Sequence, residues 1–98
     1  MADAAPHLLS LGDSLDSLRQ RLPVDDPQAI EVLRAQIAAY SLAKDAAGRS
    51  LAPATIRDVD EVTLKVAACR PAPGEDIAAL LADVRRVLNR VRNEMDQD

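Results

Sequence analysis

Four arginines, Arg85, Arg86, Arg90 and Arg92, crowd the C-terminal segment together with Asn89 and Asn93. A guanidinium fork pairs carboxylates and phosphates through two parallel hydrogen bonds, and it also reads guanine edges, so this cluster could grip an acidic protein or a nucleic acid. At about 100° per residue of helix, Arg86 and Arg90 lie opposite the Ile77–Val84–Val91 stripe, and Arg85 and Arg92 flank one edge of it. Asp83 stands three residues before Arg86 and Glu94 four after Arg90, which is the spacing of a self-neutralised, solvated helix face. A net charge of -4 repels a polyanion at long range, and Tyr40 is the only aromatic side chain available for stacking on bases. A carboxylate-bearing protein is therefore a better match for the arginines than a nucleic acid.

The other reactive residue types are sparse. Cys69, the only cysteine, has Arg70 beside it to favour a thiolate, but a nucleophile also wants a base, and the sole histidine is His7. As a lone thiol on an apolar stripe it reads as a small buried hydrophobe. Asp58-x-x-Glu61 is similar to one of the two acidic pairs with which all-α nucleotide pyrophosphatases hold Mg²⁺. The last helix carries no second pair, since Asp76 is followed three residues on by Ala79. Asp13-Ser14-Leu15 resembles the attachment site of acyl carrier proteins, yet only a short segment precedes the serine, and Arg19 and Arg21 follow where that family is acidic. No catalytic residue, metal ligand or cofactor is assigned on these signals.

A wider resemblance runs over most of the chain. Leu18-Arg19-x-x-Leu22 with Asp26, then Lys44, Arg57-Asp58 and Glu94, resembles the pattern of small all-α chorismate mutases. That resemblance implies a dimer in which cations and an acid converge on a dicarboxylate. The family runs its first helix unbroken from arginine to lysine, whereas Pro23 interrupts it here. Arg34 and Lys44 stand ten residues apart, which separates them widely around a helix instead of setting both cations on one face.

Four segments show helical period. Leu8, Leu11, Leu15, Leu18 and Leu22 recur at steps of three and four, the seam of a heptad, and Pro23 ends the segment. Leu9 and Gly12 fall off this seam. A second helix opens at Asp25-Asp26-Pro27-Gln28, with Gln28 placed three residues after Asp25 to complete a capping box, and Gly48 stops it. Ile30, Leu33, Ile37 and Tyr40 make one stripe, and Ala35, Ala38, Ala39, Ala43 and Ala46 widen it so that another helix could approach closely. In the third segment Ile56, Val59, Val62, Val66 and Cys69 fit a helix capped by Ser50 or Thr55, while Val62, Leu64, Val66 and Ala68 also alternate like a strand. Helix is preferred, because no second strand candidate exists to pair with one. Pro71-Ala72-Pro73-Gly74 breaks the chain, and a last helix follows with Ile77, Leu80, Leu81, Val84, Leu88, Val91 and Met95 on one stripe.

These elements predict an all-α fold, a small up-and-down bundle of three to four amphipathic helices in one domain over 1–98, with 1–5 and 96–98 frayed. One cysteine permits no internal disulfide, the longest apolar run, Ile77 to Ala82, is far below the ~20 residues needed to cross a bilayer, and the first eighteen residues hold no Lys or Arg. A cytoplasmic protein without a membrane partner is expected. Ten Arg against two Lys, with abundant Ala, suggest a bacterial coding bias. The function expected is a non-enzymatic protein–protein interaction module of regulatory, chaperone or adaptor type. It would bind an acidic protein through Arg85, Arg86, Arg90 and Arg92 and form a homodimer through Leu8, Leu11, Leu15, Leu18 and Leu22. A chorismate-mutase-like enzyme and a nucleic-acid-binding regulator using the arginine-rich helix are the alternatives.

Overall fold

A computed structural model describes residues 3–97. Among the described residues there are four helices: α1 (Ala5–Gln20), α2 (Pro27–Asp45), α3 (Pro53–Ala68) and α4 (Ala78–Asp96). The third segment is helical, since among the described residues the alternation of Val62, Leu64, Val66 and Ala68 has no strand to pair with; as a helix it buries Ile56, Val59, Val62 and Val66 and leaves Leu64 outside.

Local signals set the boundaries. Asp26, in extended conformation (φ −71°, ψ 126°), caps α2 by accepting from the Gln28 amide at 2.9 Å, and Pro27 occupies the first turn. The cap thus lies one residue later than the expected Asp25, and the Gln28 side chain crosses to Asp76 Oδ1 at 3.0 Å instead of closing a capping box. Gly48 (φ +78°) turns the chain after α2 with the left-handed backbone that side chains disfavour. Neither Ser50 nor Thr55 caps α3. Ala52 holds that position, and the cap comes from outside the helix, as described below. At the start of the chain, Asp3 bridges Ser50, and Ala4 is buried, its amide donating to the Arg49 carbonyl. Met1, Ala2 and Asp98 lie outside the described residues.

The helices alternate in direction along the chain, and their neighbours form a ring in the order α1, α2, α4, α3. Tyr40 meets Asp13 and Gln36 meets Arg19, so α1 and α2 run antiparallel. Lys65 meets Asp83 and Thr55 meets Glu94, so α3 and α4 do too. His7 meets Asp60 and Arg21 meets the Cys69 carbonyl, which sets α1 parallel to α3. The link from α2 to α3 therefore crosses a diagonal of the bundle, which measures 42 × 19 × 18 Å.

One core runs through the ring. Leu8, Leu11, Leu15 and Leu18 of α1 are wholly buried, with α2 and α3 packed against their helix. Against these leucines α2 presents small residues, Ala29, Ala35, Ala39 and Ala43, with Val32 and Leu42. Large against small is how two helix faces interdigitate at close range. Gly12 shows how close: a Cβ there would come within 2.5 Å of the Tyr40 ring.

This packing splits the expected α2 stripe, burying most of its alanines and leaving its large aliphatic residues outside. Ile30, Leu33 and Ile37 point outward, 54%, 38% and 59% exposed, and the alanine face points in. Rotating α2 to bury the isoleucines would drive Val32, Leu42 and the alanines into water and lift Tyr40 off Gly12. The leucine seam leaves room only for the smaller face.

Candidate interaction surfaces

The four arginines expected to meet a partner are mostly engaged within the chain. Arg85 of α4 pairs with Glu31 of α2, and Arg90 of α4 with Asp58 of α3. Arg86 lies 3.9 Å from Asp58 and 4.0 Å from Asp83. Two carboxylates on opposite neighbours thus tie α4 into the ring, each exposed pair contributing on the order of 0–1 kcal/mol. Arg92 is exposed and has no ion pair among the described residues. The trough these side chains form, about 770 Å³, is lined from Ala82 to Gln97 by α4 alone, so it is the corrugated outer surface of one helix. A second shallow groove, about 300 Å³, lies between α2 and α4, where Arg34, Arg85 and Arg92 stand around a floor of Ala35, Ala38 and Leu88.

The leucines expected to mediate self-association lie in the core of the bundle. Leu8, Leu11, Leu15 and Leu18 have no exposed surface, and Leu22 only 9%. A seam already covered by α2 and α3 has nothing left to offer a second chain, so association between copies would use other side chains.

The residues that resemble the mutase pattern do not converge. Arg19 donates to Asp16 at 2.6 Å and to Gln36 at 3.2 Å on the α1–α2 face. Lys44 stands exposed near the end of α2, two turns beyond Gln36, while Arg57 and Asp58 belong to α3, across the diagonal. Glu94 is occupied structurally. Its carboxylate accepts from the Ala52 amide and from the Thr55 hydroxyl, both at 2.5 Å, so α4 caps the start of α3. The Ala52 amide, then the Thr55 hydroxyl and the charge of Arg90, hold the Glu94 carboxyl below the usual range.

Cys69 ends α3, half-buried, with its carbonyl accepting from Arg21 Nη1 at 2.5 Å. His7 meets Asp60 at 2.7 Å on the surface between α1 and α3, far from the thiol. Asp58, the first residue of the acidic pair, is committed to arginines, and among the described residues no cluster of metal-binding side chains forms. Ser14, the serine of the acyl-carrier-like motif, is half-buried beside Ser17, Arg21, Ala67 and Arg70.

Sequence reasoning missed the outer face of α2. Of the six large exposed hydrophobics among the described residues, Ile30, Leu33 and Ile37 lie on that face, Val24 lies in the turn before it, Leu9 on α1 and Leu64 on α3. Val24, in the α1–α2 turn, is 98% exposed. Val24, Ile30 and Leu33 share a groove of about 430 Å³ with Leu22 and Ala29, edged by Arg19 and Gln20. Leu9 shares the α1 strip that carries Asp13 and Asp16, and Asp13 accepts from the Tyr40 hydroxyl at 2.6 Å, which places Leu9 beside the C-terminal half of α2. That bond, partial burial and the charges of Asp13 and Asp16 push the Tyr40 phenol up to about 12. The signal for this face was present in the heptad spacing of Ile30, Leu33, Ile37 and Tyr40, which marks an apolar seam without saying which way it turns.

Among the described residues no helix is long and apolar enough to cross a membrane. No protein-family model, curated protein or solved structure matches the chain.

Proposed function

We propose that this chain is a non-enzymatic protein–protein interaction module, of regulatory, chaperone or adaptor type, which offers the outer face of α2 to the apolar face of another helix. The observation that carries this reading is the position of Ile30, Leu33 and Ile37: evenly spaced, on a regular helix, and outside a core that is already filled. Scattered single hydrophobics on a surface need no explanation, but a contiguous apolar stripe with polar edges is the form of a helix-in-groove or helix-on-helix contact. Arg19, Arg34, Asp13, Asp16 and Lys44 border the stripe and would set register and orientation more than affinity.

A photo-crosslinking residue tests this in the cell that makes the protein. Placed at Leu33, it should give one discrete adduct; placed at Asp60, exposed on α3, it should give none. The reading fails if position 33 captures nothing discrete, or if both positions yield the same smear.

A further inference from the structure

We infer that the occupant of the α2 face is a second copy of this chain, paired antiparallel about a two-fold axis that sets Leu33 of each copy against Ile37 of the other. The inference rests on the interaction-module reading and names its partner. Ile30, Leu33, Ile37, Tyr40 and Lys44 follow one another at steps of three and four, the spacing at which one helix packs along another, over about 21 Å of α2. A two-fold contact uses the same patch twice, so the patch must match its own reversal.

This one does. With Leu33 opposite Ile37, Ile30 falls opposite Tyr40 and Lys44 falls at Asp26, beside Asp25. Lys44 and Asp25 are exposed and have no ion pair among the described residues, and Asp26 binds the Gln28 amide through one carboxylate oxygen, leaving the other. Each end of the seam therefore gains a cation facing carboxylates. Parallel pairing would instead put Lys44 on Lys44 and Asp26 on Asp26, and would align the two helix dipoles unfavourably. The flanking hydrophobics obey the same reversal. Leu9 stands level with the end of α2 that carries Lys44, so it meets Val24 of the second copy, the most exposed of the large apolar side chains. One axis thus pairs Leu9 with Val24 as well as Leu33 with Ile37 and Ile30 with Tyr40.

The test uses the full chain with Cys69→Ser, in which Leu33→Cys and Ile37→Cys are made as separate proteins. Mixed and oxidised, the two should form a disulfide-linked dimer in severalfold higher yield than either alone, since a cysteine must face its partner to bridge it. In parallel, sedimentation equilibrium of the native chain should give twice the chain mass, and Ile37→Glu, with its helical circular dichroism unchanged, should weaken association about 100-fold. Stronger cross-linking of either single variant with itself would overturn the antiparallel pairing. A native chain that sediments as one copy, while a photo-crosslinker at Leu33 captures a different protein, would overturn self-pairing and leave the module reading standing. One copy with no discrete adduct would sink both.

Discussion

Tyr40 holds together three features of the α1–α2 face: its ring covers Gly12, its hydroxyl donates to Asp13, and it lies on the outer seam of α2. Because it is the only tyrosine and there is no tryptophan, phenolate absorbance reads this one site. The titration should centre near pH 12 instead of the ordinary value near 10. A phenol raised on folding stabilises the fold fully below its unfolded value, and that contribution disappears as pH climbs from about 10 to about 12. Tyr40→Phe should cost about 1 kcal/mol at neutral pH and remove this alkaline loss. Gly12→Ala sets a gain of about 1 kcal/mol in helix propensity against a methyl driven into the ring, which costs about 1–3 kcal/mol. We expect net destabilisation by denaturant unfolding, together with a phenol titration moved back toward 10 as the Asp13 bond is disturbed. Glu94 shows the opposite sign. Its carboxyl is depressed by the α3 cap, so its contribution is present above the unfolded carboxylate range and is lost as pH falls through the depressed value. Glu94→Gln should cost about 1 kcal/mol at pH 7 and flatten the acid side of the stability profile.

At the scale of the helices, the start and stop signals were legible to within a residue or two, because proline, aspartate and glycine act through their own backbone. Asp26→Ala should lower stability by about 1 kcal/mol, whereas Asp25→Ala should change it little, a contrast that thermal melts would read. Two things were not legible. The cap of α3 is supplied by Glu94, thirty-nine residues from Thr55, and no local pattern announces a partner that distant. The direction of α2 was hidden for a different reason: the helix has two faces that satisfy helical period, one of isoleucine and leucine, one of alanine and valine. Hydrophobicity favours the first for the core, and volume decides for the second, because the α1 leucines already occupy the space. Leu64 belongs with this lesson; its alternation with Val62 and Val66 suggested a strand and instead leaves it on the outside of α3.

Across the whole molecule, the all-α bundle followed from four periodic stripes, but the ring order did not, since nothing in the α2–α3 link says that it crosses a diagonal. That order decides the fate of the arginines. With α4 between α2 and α3, Arg85 reaches Glu31 and Arg90 reaches Asp58, and a cluster that looked free for a partner is largely occupied at home. The same order encloses the leucine seam and leaves the α2 stripe as the broad apolar face outside. One seam is thus inside and the other outside, and unfolding of dilute protein in urea, followed by circular dichroism, compares them directly. Ile37→Glu should stay within about 0.5 kcal/mol of the native chain, as a substitution at an exposed position does, and Leu15→Asp should abolish the cooperative transition by burying an unpaired carboxylate. A folded Leu15→Asp protein beside an Ile37→Glu protein that loses its transition would contradict this assignment of the two seams.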